Sequence, residues 1–176
     1  MQEIIQSENT FKKYLPSIVY GGSDGAVSYF ALMAGAYGAG LPLKMIIAVG
    51  LSNILADAFS MASADYLSED SKTGITKKEE LASTVLTFLS FAIVGTFPII
   101  PTLYAYFKET PDMQISFPIF MASTFLTICA FSFIGYLRGK ILGRNKIKTI
   151  IQSIIICSVS AAVAYFVGEY VASILL

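Results

Sequence analysis

Two acidic features stand inside apolar runs, and both suit cation chemistry. Asp24 lies within Tyr20-Gly-Gly-Ser-Asp-Gly-Ala-Val-Ser-Tyr-Phe30, a stretch of glycines and small residues that opens an apolar run reaching Gly40. A second run holds Asn53, Asp57, Met61 and Asp65, spaced every fourth residue. On a helix that spacing stacks the four side chains along one face. An ionisable side chain within a membrane-depth segment costs roughly 2.5 kcal/mol or more, so such residues are functional candidates by default. The bland alternatives are that Asp24 caps a soluble helix or lies in a loop, and that Asp65 is merely interfacial.

The chemistry follows from the residue types. No Lys or Arg falls at comparable depth in any apolar run, so these carboxylates must be protonated, hydrated or bound to a cation. A low-dielectric site drives a carboxylate toward its neutral form, and a second carboxylate beside it adds to that push. A group poised in this way can exchange a proton for a metal ion, as a proton-coupled cation carrier requires. Carboxylate and amide oxygens suit Mg²⁺, Ca²⁺ and Mn²⁺, while a thioether such as Met61 favours a softer ion like Fe²⁺. The candidate metal ligands are therefore Asp24, Asp57 and Met61, with Asn53 and Asp65 beside them. The metal is cargo, and no bound cofactor is expected.

The rest of the composition explains what must hold these residues. The chain is 55% hydrophobic and 14% charged, with a mean hydropathy of +0.68; a soluble domain carries about 25% charged residues. The apolar residues fall in blocks long enough to cross ~30 Å of hydrocarbon. Five transmembrane helices are predicted, over residues 17–40, 43–67, 81–107, 115–137 and 149–176, forming a single transmembrane domain within residues 1–176. Residues 1–15 read as a short amphipathic or frayed segment and 68–80 as a polar loop. Pro98 and Pro101 predict a kink or break in the third span, because each removes a backbone donor and crowds the preceding turn.

Orientation follows from the basic residues. Lys12, Lys13, Lys72, Lys77, Lys78, Arg138, Lys140, Arg144, Lys146 and Lys148 fall on one side, and Lys44 and Lys108 on the other. That bias puts the N-terminus in the cytoplasm and the C-terminus opposite. Glu169, near the end of the last span, reads as interfacial.

Several classes are excluded. Histidine is absent, which removes imidazole metal sites and the usual general base of Ser/His or Cys/His catalysis. An enzyme is therefore not expected. Cys129 and Cys157 lie inside apolar blocks and read as buried small hydrophobes. The net charge is zero, and nothing suggests nucleic acid binding. Gly21, Gly25, Gly35 and Gly38, with Ala31 and Ala34, give the first span small-residue faces that allow close helix contact, within a subunit or across a two-fold dimer.

Three segments resemble the vacuolar iron transporter family, which includes yeast-type calcium and manganese tolerance proteins and nodulin-21-like proteins. Tyr20-Gly-Gly-Ser-Asp-Gly-Ala-Val-Ser with Ala34-Gly-Ala-Tyr-Gly-Ala-Gly40 is similar to its first helix. Ala56-Asp-Ala-Phe-Ser-Met-Ala-Ser-Ala-Asp-Tyr-Leu-Ser68 is similar to its second. Thr87-Phe-Leu-Ser-Phe91, the two prolines, Leu137-Arg-Gly-Lys and Ala161-Ala-Val-Ala-Tyr165 resemble its C-terminal half. The resemblance implies five helices per subunit, a homodimer with the pathway at the subunit interface, and Fe²⁺ or Mn²⁺ moved out of the cytosol against protons. Asp24 and Met61 would be pathway ligands, and Asp65 takes the place of a family Glu. The membrane implied is the inner membrane of a prokaryote or the vacuolar membrane of a eukaryote. Two features depart from the family pattern: Asp57 replaces a small residue, and residues 69–80 replace a long Glu- and Met-rich cytoplasmic domain. The rival function is a non-transporting membrane protein that binds a cation or partner through the same acidic cavity.

Overall fold

The computed structural model describes the backbone of residues 2–108 and 113–175, and side chains from residue 13 onward. Met1, residues 109–112 of the third-to-fourth connection and Leu176 lie outside the described residues. Among the described residues, six α-helices form the fold: α1 (Gln2–Gly38), α2 (Leu43–Asp70), α3 (Lys77–Thr96), α4 (Ile100–Lys108), α5 (Phe117–Ile141) and α6 (Lys146–Leu175). Among the described residues the only strand-like pairing is a single bridge between Pro42 and Gln114. The chain is an all-α integral membrane protein.

Two expectations about segment ends and one about a cysteine are corrected. Residues 2–15 are helical and continue through Pro16 into α1. The polar stretch 68–80 is mostly helix: α2 extends to Asp70, and α3 begins at Lys77 behind a capping box in which Thr76 and Glu79 satisfy each other's backbone donors. Cys157 is buried as expected, whereas Cys129 is exposed on the outer surface.

The prolines act as anticipated. Pro98 and Pro101 interrupt one long column, leaving a 3₁₀ turn at Phe97–Ile99 between α3 and α4. The carbonyls that the missing donors would orphan are taken up by tighter bonds, Phe97 N–H to Val94 O and Ile100 N–H to Phe97 O.

α1 runs through the middle of the bundle, and its sequence shows why it can. Ala26, Tyr29, Met33 and Ala34 have no exposed surface, and glycines let neighbouring backbones come to contact distance. A Cβ on Gly21 would stand 2.5 Å from the Thr87 carbonyl of α3, and one on Gly25 would collide with the Phe91 carbonyl a turn further on. Toward the other end of α1, a Cβ on Gly38 would stand 2.5 Å from the Tyr165 carbonyl of α6. The register of these contacts makes α1, α3 and α6 parallel. Gly50 against the Tyr29 ring, and Gly135 against the Ile150 backbone, fix α2 and α5 as antiparallel neighbours. Buried hydroxyls lock the seams: Ser17 Oγ and Ser83 Oγ lie 2.6 Å apart, and Thr149 Oγ1 donates to the Gly135 carbonyl at 2.8 Å.

This direction pattern gathers residues 13–17, the α2–α3 connection and the α5–α6 connection at one end, with Lys44 and Lys108 at the other. The remaining helices turn large apolar side chains outward, Phe59, Phe125, Phe133 and Phe166 each more than 60% exposed. Among the described residues, four columns are long and apolar enough to cross a membrane: Leu43–Asp70, Lys77–Lys108, Phe117–Ile141 and Lys146–Leu175. α1, diluted by Gly21, Gly22, Ser23, Asp24 and Gly25, is less apolar and is the most enclosed.

The close α1–α3 contact yields the first prediction. Gly25→Ala must push α1 away from the Phe91 backbone and should destabilise the protein by about 1–3 kcal/mol. Gly22→Ala meets only side chains, Val94 at 3.2 Å and the end of Ile134 at 3.5 Å, and should cost clearly less. Thermal unfolding of the two variants in one detergent checks the order, and equal melting temperatures would contradict the packing.

Candidate functional site

The acidic seam lies where α1 and α2 run antiparallel. On α2, Ile54, Ala58 and Ala62 form the buried face. Asn53, Asp57, Met61 and Asp65 are one step around the helix and half-buried, while Ser52, Ala56, Ser60 and Ala64, one step further, are exposed. The seam therefore runs along the border between the bundle's interior and an open stripe of small residues. The four-residue spacing read from the sequence is realised as this single column.

Its members differ in what they touch. Asn53 Nδ2 donates to Asp57 Oδ2 at 2.7 Å, which orients that carboxylate and leaves its other oxygen available. Asp24, half-buried on α1, stands within Coulombic range of Asp57. Met61 lies against the apolar core cluster, so its packing role is visible directly. Asp65 Oδ2 is shielded from solvent and has no hydrogen-bond partner. Two turns, or about 12 Å, separate Asp65 from Asp57 along α2. Asp24 and Asp57 are thus brought together, and Asp65 is held apart, toward the basic end.

Asp65 lines a cleft of about 370 Å³ together with Pro16, Ser17, Tyr20, Ala64, Ser68, Glu69 and Lys72. A neighbouring hollow of about 230 Å³ shares Pro16, Ser17, Glu69 and Lys72 and adds Lys13, Glu79 and Ser83. The seam consequently has a polar mouth at the end where residues 13–17 meet the α2–α3 connection. Among the described residues, no three His, Cys, Asp or Glu side chains converge to cage a metal.

The rim of the mouth is an ion-pair network. Lys13 pairs with Glu79, tying α1 to α3; Lys72 pairs with Glu69; Lys77 bridges Asp70 at 2.5 Å and Glu80 at 3.0 Å. Lys77 is consequently held above the ordinary lysine range, by its hydrogen bond to Asp70 first and to Glu80 second. Glu80, only 3% exposed, was expected in a solvated loop. The available signal was its helical spacing with Ser83, Thr87 and Phe91, all buried on α3. Tyr20 was likewise read only as part of the Asp24 motif, and its place in the cleft arises from the antiparallel pairing of α1 with α2.

A helical integral membrane protein with an acidic seam between its first two long helices, opening at a charged end, is what the fold and site define. Residues 15–80 and 70–169 match the VIT family, and the chain belongs to that family. The two matched stretches meet at the α2–α3 connection. Over 72 residues the chain is 40% identical to a vacuolar iron transporter of Toxoplasma gondii, covering 41% of this chain and 24% of that protein. It is 28% identical over 141 residues to vacuolar iron transporter homolog 4 of Arabidopsis thaliana, covering 73% and 70%. With vacuolar iron transporter 1 of Tulipa gesneriana it shares 21% identity over 239 residues, covering 99% and 94%. The first of these matches thus spans about a quarter of the relative's length.

The rim network carries a pH signature. Glu79 is held below the usual carboxylate range, by the Lys13 hydrogen bond first and by the backbone N–H of Thr76 second. A depressed pKa in the folded state gives a stabilisation that is present above the ordinary value of about 4.3 and is lost as pH falls through the lowered one. Glu79→Gln should therefore lower the melting temperature at pH 7 and remove part of its decline under acid. Melting curves from pH 7 down to pH 3.5 test this; parallel curves for the two proteins would rule out the Lys13–Glu79 tie.

Proposed function

We propose that the chain is a homodimeric secondary carrier that moves a divalent transition metal, Fe²⁺ or Mn²⁺, out of the cytoplasm in exchange for protons. The observation that carries this reading is that Asp24 and Asp57, two half-buried carboxylates on antiparallel helices, lie within Coulombic range of each other. Two carboxylates without a cation between them repel. A divalent ion relieves that repulsion, and so does protonation, so the pair binds metal or protons in alternation. Asn53 fixes the Asp57 carboxylate, and Met61 supplies the adjacent thioether that favours a softer ion. Asp65 at the mouth attracts the cation inward.

The family membership supports a metal as cargo, since the relatives bear the name of vacuolar iron transporters. In the proposed topology all five columns span the bilayer, with α1 shielded by the others and the N-terminus cytoplasmic. The clustering of the basic residues at one end of the bundle supports that orientation. The homodimer is supported by the exposed Ser52, Ala56, Ser60 and Ala64 beside the seam. This small-residue stripe allows a second copy to approach closely and to cover the half-open acids. A divalent ion takes about six ligands, more than one protomer's seam offers, and a second copy would double the set. In this reading the pathway runs between protomers.

Flux in proteoliposomes with an imposed pH gradient tests the proposal. Wild type should take up Fe²⁺ or Mn²⁺, and Asp24→Asn and Asp57→Asn should each lower uptake at least tenfold while eluting as wild type does in size-exclusion chromatography. Retained flux in Asp24→Asn would remove it from the site. Metal binding by wild type without gradient-driven flux would favour a non-transporting cation-binding protein instead.

A further inference from the structure

The ends of the cytoplasmic-side helices handle their positive charge in two different ways. Around the mouth, Lys13, Lys72 and Lys77 are each paired with a carboxylate, and the exposed Lys78 makes no ion pair among the described residues. Around the α5–α6 connection, Arg138, Lys140, Arg144, Lys146 and Lys148 fall within eleven residues, and no Asp or Glu occurs anywhere in residues 113–168. Lys140, Arg144, Lys146 and Lys148 are exposed. Among the described residues none of the five makes an ion pair, and Lys146 has only the Tyr136 ring, 5.3 Å away. Arg138 and Lys140 complement the C-terminal dipole of α5, but Lys146 and Lys148 stand in the first turn of α6, where that dipole disfavours cations.

The surroundings decide which anion can neutralise them. The connection is short, turning at Gly143 with φ +62° and capped by Asn145, whose Oδ1 accepts from the Ile147 backbone N–H. It cannot carry its charges far from the ends of α5 and α6. Leu142 and Ile147, in the same short segment, are 52% and 68% exposed, and above them Tyr136, Phe133 and Ile151 face outward. Cations interleaved with outward apolar side chains, directly beneath a lipid-facing surface, lie at headgroup level rather than in bulk water.

We propose that the α5–α6 connection is a binding surface for anionic phospholipid. The side chains of Lys140, Arg144, Lys146 and Lys148 engage headgroup phosphates, while Leu142 and Ile147 insert beside the acyl chains. The contrast with the mouth has a physical logic. Most cations at the mouth are paired to carboxylates and leave the metal's approach little distorted, whereas the dense unpaired set at the α5–α6 connection grips the bilayer. The surface depends on the helices crossing a membrane but not on transport, and a lipid readout keeps the two questions separate.

The test uses the full chain in nanodiscs of phosphatidylcholine alone or with one quarter phosphatidylglycerol, followed by release and native mass spectrometry of retained lipid. Wild type should retain phosphatidylglycerol over phosphatidylcholine by about tenfold, less at high salt. The quadruple variant Lys140→Gln, Arg144→Gln, Lys146→Gln, Lys148→Gln should fall below twofold, and Lys72→Gln with Lys77→Gln should keep the preference. If the quadruple variant does not fold, Lys140→Gln and Lys148→Gln alone should each lower the preference severalfold. Equal retention of both lipids by wild type, an unchanged preference in the loop variants, or full competition by millimolar inorganic phosphate would overturn the proposal.

Discussion

The approach of α1 to the backbones of α3 and α6 is the contact on which the other arrangements depend. Gly21 and Gly25 allow it on one flank, Gly35 and Gly38 on the other. With side chains at those positions, α1 would stand off from both neighbours, and its polar residues would meet lipid rather than protein. Enclosure is what makes Asp24 tolerable in so apolar a bundle, because α2, α3, α5 and α6 all pack against α1. The glycines also set axial register. Once Gly25 lies on Phe91 and Tyr29 lies on Gly50, Asp24 has no freedom to slide away from Asp57.

That register explains why the seam is polarised. An antiparallel pair brings early residues of α1 beside late residues of α2, so Ser17 and Tyr20 share a cleft with Asp65 and Ser68. Asp24 and Asp57 meet deeper in. The pairs at the mouth, Lys13 with Glu79 and Lys77 with Asp70 and Glu80, fasten the ends of the helices that frame the opening. Apart from the buried Glu80, their members are at least partly exposed, and such pairs are individually weak. Their contribution is positional: they hold α1, α2 and α3 together where the cleft would otherwise splay.

Much of this was legible from residue types and spacing. The Asn53–Asp57–Met61–Asp65 column needed only the four-residue repeat, and the break at Pro98 and Pro101 needed only the missing donors. The all-helical membrane class followed from block length. What spacing could not give was the partner of each face. Glu80 looks like a loop acid in a charged stretch, and only the capping box at Thr76 and the packing of α1 on α3 turn it inward. Cys129 lies in as apolar a block as Cys157, yet faces outward, because one apolar residue resembles another when the outside is also apolar. Inside a membrane the hydrophobic pattern no longer separates core from surface. The small and hydroxylated residues carry that information instead: Ser83, Thr87, Ser123, Thr127, Thr149 and Ser153 are all buried.

The same inversion bears on the seam. In water, a half-exposed stripe such as Ser52-Ala56-Ser60-Ala64 would be an ordinary solvated face. Against hydrocarbon, a row of serines and alanines flanking two carboxylates is an unfavourable boundary. Large apolar side chains, such as Leu55 and Phe59 on the adjoining face, are what lipid contact selects. A helix that presents lipid-suited residues on one face and small polar residues on the next distinguishes two environments. The acids lie at the line between the second of these and the interior, so whatever covers the small stripe also sets the dielectric surroundings of Asp57. Shape, charge and cover are thus a single requirement on α2, and the residue one step round from each acid matters as much as the acid.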